Sequence, residues 1–191
     1  MSRLTLETTA YTHSQLLWTA EPQIALAGRS NSGKSSLINC LGGNRRLARI
    51  SSTPGKTRSI NYYRVEPDGF YLVDLPGYGY ARCSKEEQAR WQALIQSYLE
   101  GNPGPRALVL LLDARLQPQT ADLELAHYAG SLALPLIPVL TKADKCRQKE
   151  LSRAVSSWTS ILGLSNPPVI FSARTGQGKD QLLHQILQAV S

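Results

Sequence analysis

The 191 residues are enough for one sizeable hydrophobic core and too few for two, and an apolar content of 42% suits a globular domain. The longest uninterrupted apolar run, Ala107 to Leu112, is far short of a membrane span, the opening residues lack the apolar centre of a secretory signal, and Cys40, Cys83 and Cys146 are too scattered for a metal motif or a disulfide framework, so a cytoplasmic setting is expected. The net charge of +7 is concentrated, because no acidic residue falls between Glu21 and Glu66 while Arg29, Lys34, Arg45, Arg46, Arg49, Lys56, Arg58 and Arg64 do, which fits a polyanionic partner such as a nucleotide or RNA, a solvated basic loop being the plainer reading.

In chain order, residues 1–20 have mixed polarity and are expected to lie as an extension on the main domain, 21–191. A strand is predicted at 23–27, then a glycine-rich loop and a helix at 35–41. The connection 42–58 has neither strand nor helix signals, and a loop of that length is usually functional or disordered. Strands at 59–66 and 70–74 are joined by Pro67-Asp68-Gly69, too short for a crossover, so these two are antiparallel. A helix at 85–99 opens with a capping box from Ser84 to Glu87 and stops at the Gly/Pro-rich stretch 101–105. A strand at 107–113, a helix at 118–129, a strand at 136–140, a helix at 148–162, a strand at 169–171 and a helix at 179–190 complete the chain. That alternation reads as an α/β domain with a mostly parallel six-stranded sheet, one strand antiparallel, flanked by five helices.

Gly28-Arg29-Ser30-Asn31-Ser32-Gly33-Lys34-Ser35 matches GxxxxGK[ST] between a predicted strand and a predicted helix. The glycines let consecutive backbone N–H groups face one anion at a helix N-terminus. Lys34 is placed to reach the β- and γ-phosphates, and the Ser35 hydroxyl to bind magnesium. The loop alone does not choose between ATP and GTP. Asp74-Leu75-Pro76-Gly77 at a strand end fits DxxG, in which the Asp holds magnesium and the Gly N–H meets the γ-phosphate. Thr141-Lys142-Ala143-Asp144, after a later strand, resembles the guanine-reading motif NKxD. A carboxylate there accepts from the guanine N1–H and its amino group, donors that adenine does not offer in that arrangement. Thr141 replaces the usual Asn, which leaves one loop-bracing contact open. Ser172-Ala173-Arg174, after the last strand, resembles the SAK motif whose backbone N–H meets the guanine O6. All four motifs fall at the carboxyl ends of strands, where open parallel sheets bind ligands. An ATP-binding P-loop enzyme is the runner-up and leaves Asp144 and the Ser172 segment unexplained.

On the stretches GRSNSGKSSLIN (28–39), SSTPGKTRSIN (51–61), DLPGYGYA (74–81) and TKADK (141–145), the chain resembles the EngB (YihA/YsxC) family of bacterial ribosome-assembly GTP-binding proteins. The resemblance implies a Ras-like P-loop GTPase fold, GTP/GDP and Mg²⁺ as ligands, and a role in assembling the large ribosomal subunit, with loss disturbing division and septation. The family pattern gives Thr at 141 as a rule and FSS where this chain has Phe171-Ser172-Ala173. It places the switch threonine, a magnesium ligand closing on the triphosphate, at Thr57 after Gly55 and Lys56, with Thr53 as the rival. The expected partner is a large-subunit precursor, through rRNA or ribosomal proteins, with no sequence-specific reading of DNA, no membrane, and a monomeric chain.

Catalytic roles are assigned to Lys34, Thr57 and Gly77. Many GTPases place a water-orienting Gln directly after DxxG; Tyr78 stands there, so slow intrinsic hydrolysis is expected. Arg82 or Arg58 could act as an arginine finger or simply be solvated. Asn31 resembles the residue that helps hold K⁺ in potassium-using GTPases, and equally reads as an Asn that tolerates a turn. A nucleotide-stabilised RNA- or protein-binding module with negligible turnover is the rival from another class.

Overall fold

Alternating side chains of the strands go to opposite faces of one sheet. Ile24 and Leu26, Leu72, and Val109 and Leu111 join one buried cluster, while Ala25 and Ala27, Val73, and Leu108 join another. A computed structural model describes residues 3–48, 59–78 and 85–191. Its strands are β1 (Arg3–Ala10), β2 (Gln23–Gly28), β3 (Ile60–Glu66), β4 (Phe70–Asp74), β5 (Pro105–Asp113), β6 (Leu136–Thr141) and β7 (Val169–Ile170). Its helices are α1 (Lys34–Leu41), α2 (Lys85–Leu99), α3 (Thr120–Ser131), α4 (Gln148–Ile161) and α5 (Lys179–Val190), with single 3-10 turns at His13–Gln15 and Ala143–Lys145.

The strand order is β1-β3-β4-β2-β5-β6-β7. β3 is antiparallel to both β1 and β4, and the remaining pairings are parallel. One strand therefore runs against the others, as expected, but the sheet has seven strands rather than six. The seventh comes from the segment expected to lie on the domain as an extension: Arg3–Ala10 hydrogen-bonds along β3 as an edge strand. A register shift between Leu6 and Thr8 marks a bulge at Glu7. The bulge reverses the alternation, so Leu4 is buried in the cluster beneath α1 and α5, and Ala10 in the cluster on the other face.

α1 and α5 cover one face of the sheet, joined by the Lys179 ammonium donating to the Cys40 carbonyl at 2.9 Å. The other face is covered by α2, α3 and α4, with Trp158 of α4 buried beneath β5 and β6. α4 starts where the Arg147 N–H donates to Glu150 at 2.6 Å. Ser84, which was to cap α2, lies outside the described residues. Among the described residues no helix is long and apolar enough to cross a membrane.

Candidate nucleotide-binding site

β2 ends at Gly28, packed against the Ser32 hydroxyl and Leu111. The chain then turns through Arg29, Ser30, Asn31 and Ser32, with the Ser32 N–H donating to the Arg29 carbonyl at 2.9 Å. Asn31 has φ 66° and Gly33 φ 106°, left-handed backbone that glycine adopts freely and Asn better than most residues. The turn requirement thus accounts for Asn31 by itself. Gly33 is the N-cap of α1, so Lys34 and Ser35 open the helix and the loop's N–H groups gather at its positive end. Burial lowers the pKa of the Lys34 ammonium, an effect partly countered by the charge of Asp74.

Asp74 closes β4 and is 3% exposed. Burial raises its pKa, while Lys34 and a hydrogen bond from the Asn61 side chain act the other way. The Asn61 side-chain oxygen Oδ1 accepts from Thr9 Oγ1 at 2.9 Å, so a residue of β1 braces the side chain that holds Asp74. Asp74 Oδ1 is buried without a hydrogen-bond partner. A hard dication taking oxygen ligands would fit this orphaned oxygen, and the Ser35 hydroxyl, next in the chain to Lys34, would be its other protein ligand among the described residues. Leu75 and Pro76 are buried, and Gly77 lies against Ser30 and the Lys34 ammonium. Among the described residues no cluster of three His, Cys, Asp or Glu forms a metal cage, and the site does not need one.

On the base side, Thr141 is the last residue of β6, Lys142 turns with φ 59°, and Ala143 and Asp144 sit in the 3-10 turn. The Ala143 N–H donates to the Phe171 carbonyl at 3.2 Å, which ties this loop to the segment after β7. The buried Thr141 hydroxyl lies 2.6 Å from the Ser32 carbonyl and 3.1 Å from that of Leu112. The bracing left open by the missing Asn is therefore made by Thr141 itself. The Lys142 ammonium reaches Asp113 Oδ2 at 2.8 Å and also donates to the Asn31 carbonyl, stretching its stem from the base loop to the phosphate loop.

Asp144 accepts from Ser172 Oγ at 2.7 Å on Oδ1 and pairs with Arg174 Nε at 3.0 Å on Oδ2. The Ser172 bond, together with Arg174, holds its carboxyl below the usual carboxylate range. An ionised carboxylate keeps acceptor capacity on both oxygens, which suits two adjacent N–H donors. Asp144, Lys142, Phe171 and Ala173 line a cavity of about 190 Å³ that reaches Gly33. The Ser172 N–H is taken by the Gln177 carbonyl at 3.0 Å, so a backbone contact to a base oxygen falls to the amides that follow, beginning with Ala173.

The structure thus brings 28–35, 74–77, 141–144 and 171–173 to one end of the sheet. Gly55, Lys56, Thr57 and the rival Thr53, with Arg58 and Arg82, lie outside the described residues. Arg64, counted with the basic loop, is in β3 and paired with Glu21 at 2.6 Å. Sequence reading passed over Asn61, Asp113 and Arg174 as supports of Asp74, Lys142 and Asp144. Asp113, as the last residue of a strand pointing at the site, was the one with a visible signal.

Residues 23–142 match the family model described as 50S ribosome-binding GTPase. The chain is similar to the "Probable GTP-binding protein EngB" of Oleidesulfovibrio alaskensis, 58% identical over 184 residues that cover 96% of this chain and 84% of that protein. The protein so named from Geobacillus kaustophilus is 42% identical over 172 residues, covering 89% and 88%. Among solved structures, a crystal structure of a probable GTP-binding protein engB superposes with a TM-score of 0.73 at 25% identity, covering 88% of this chain and 98% of that one. Aquifex aeolicus Era bound to GDP and aluminium fluoride gives 0.73 at 24% identity over 88% of this chain and 56% of its own, a likeness of fold. On these matches and on the site they share a fold with, the chain belongs to the EngB family of GTP-binding proteins.

Proposed function

We propose that this protein is a GTP-dependent assembly factor for the large ribosomal subunit, and that its loss disturbs cell division and septation. Membership of a GTPase family makes it a GTP-hydrolysing enzyme. The observation that carries the guanine reading is Asp144, ionised and held by Ser172 and Arg174 at the cavity beside Lys142. Lys34 and the loop amides would hold the phosphates, and Ser35 and Asp74 would hold magnesium, which would supply charge neutralisation to them. Intrinsic turnover is slow, because the Tyr78 phenol is bonded to Asp122 and has no amide to orient a water. A partner, or a potassium ion beside Asn31, speeds it. Support for the ribosomal partner comes from the description of the matched family and from the exposed Arg45 and Arg46, the first of which lines a cavity with Ala173 and Arg174.

The deciding experiment measures phosphate release with magnesium, in sodium and in potassium buffers, with and without large ribosomal subunits. Co-sedimentation with subunit precursors is followed in parallel under GDP and under a non-hydrolysable GTP analogue. Slow release accelerated by subunits, and particle binding that favours the analogue, are expected. Particle binding indifferent to the nucleotide, with no turnover in any condition, would favour the nucleotide-stabilised binding module instead.

A further inference from the structure

Tyr78 follows the DxxG glycine directly, and the fold gives it work other than water orientation. The parallel pairing of β2 with β4 runs to Leu26 opposite Asp74 and resumes at an isolated bridge between Arg29 and Tyr78. Between these points Ala27 and Gly28 face Leu75, Pro76 and Gly77, so the DxxG segment carries one residue more than its neighbour and arches. The far foot of that arch is held by the Ser30 N–H donating to the Tyr78 carbonyl at 2.9 Å.

The Tyr78 side chain secures the same foot from the other direction. Its ring packs against the buried cluster of β5, α3 and α4, and its hydroxyl donates to Asp122 Oδ1 at 2.8 Å. Asp122 is 5% exposed in the first turn of α3, where the helix end favours a carboxylate and its own N–H is bonded to the Gln119 carbonyl. Held at both feet, the arch presses Gly77 so close to the phosphate loop that an added Cβ would fall 3.1 Å from Ser30 Cα and 3.2 Å from the Lys34 ammonium.

We propose that the Tyr78–Asp122 hydrogen bond is a latch that fixes Gly77 where its N–H meets the terminal phosphate, which makes Tyr78 a positioning residue for the triphosphate. The inference rests on the GTP reading above. The terminal phosphate is the part of the nucleotide that this glycine serves, so the latch acts on GTP and leaves GDP alone. Its benefit is pre-organisation: an arch already held loses less freedom when the phosphate arrives. A hydrogen bond to a buried carboxylate corresponds to about a tenfold change in an equilibrium constant.

The test titrates the full chain with fluorescent GDP and with a fluorescent non-hydrolysable GTP analogue, in the presence of magnesium. Tyr78→Phe keeps the ring and loses the latch, and Asp122→Ala removes the acceptor. Each is expected to weaken the GTP analogue about tenfold while GDP affinity stays within about twofold. The double variant is expected to be no worse than either single one, because both remove the same bond. Asp122→Asn keeps an acceptor oxygen and is expected to restore the analogue's affinity. Equal losses for both nucleotides would make the bond an ordinary stabilising contact and overturn the proposal, as would additive losses or an unaffected Tyr78→Phe. A wild-type chain that bound neither nucleotide would instead remove the GTP reading beneath it.

Discussion

Asp144 carries its charge between Ser172 and Arg174, and its two oxygens decide which base fits. Asp144→Asn replaces an acceptor by an amide that also donates, so GDP affinity measured by calorimetry is expected to fall at least about a hundredfold while xanthine nucleotides gain. Unchanged GDP affinity would remove the guanine assignment. Thr141 offers a second test, because its hydroxyl is buried against the Ser32 and Leu112 carbonyls. Thr141→Val is expected to cost about 1–3 kcal/mol in chemical denaturation and to weaken nucleotide binding through a looser phosphate loop. Asp113 gives a pH signature. Burial works to raise its pKa, but hydrogen bonds from Arg115 and Lys142 outweigh this and hold it at about 2. A depressed carboxyl contributes stability that is fully present above its unfolded value near 4 and is lost as pH falls towards 2. Thermal melts from pH 5 to pH 2 are therefore expected to fall more steeply for the wild type than for Asp113→Asn.

At the scale of elements, the helices and the central strands were legible because their periodicity is local. The glycine, lysine and aspartate motifs were legible for a similar reason, since each performs its chemistry within a few residues. β1 was not legible, because the bulge at Glu7 breaks its alternation, putting Leu4 and Ala10 on opposite faces, and because Leu6 is 49% exposed on this edge strand. Partners distant in sequence were hidden as well. The acceptor of Thr141 lies at Ser32, and the brace of Asp74 at Asn61, neither of which any spacing rule connects. If β1 is a working strand of the core, Leu4→Ala is expected to cost about 2–3 kcal/mol in urea unfolding. A cost near zero would return the segment to an appended extension.

For the whole molecule, the strand order gathers the motifs at one end of the sheet, and of the uneven charge Arg45 lines a cavity with Ala173 and Arg174 there. Arg45 and Arg46 are both exposed, whereas Arg64 is held by Glu21 and adds little outward charge. Binding to ribosomal particles is expected to weaken steeply with salt, by roughly −0.7 to −0.9 logarithmic units per neutralised phosphate. Changing Arg45, Arg46 and Arg49 together to Gln is expected to flatten that slope in co-sedimentation and to leave GDP affinity alone, since none belongs to a nucleotide motif. A wild-type slope near zero would assign the basic region to plain solvation.

The bonds from Thr141 to Ser32 and from Lys142 to Asn31 have one more consequence. They make the loop that receives the base and the loop that receives the phosphates a single stiff frame, set before either guest arrives. Guanosine and pyrophosphate, offered as separate fragments, then neither help nor hinder each other, because neither has any frame left to shape for the other. The advantage of the intact nucleotide comes from the 5′-phosphoester bond that joins them, which converts two encounters into one.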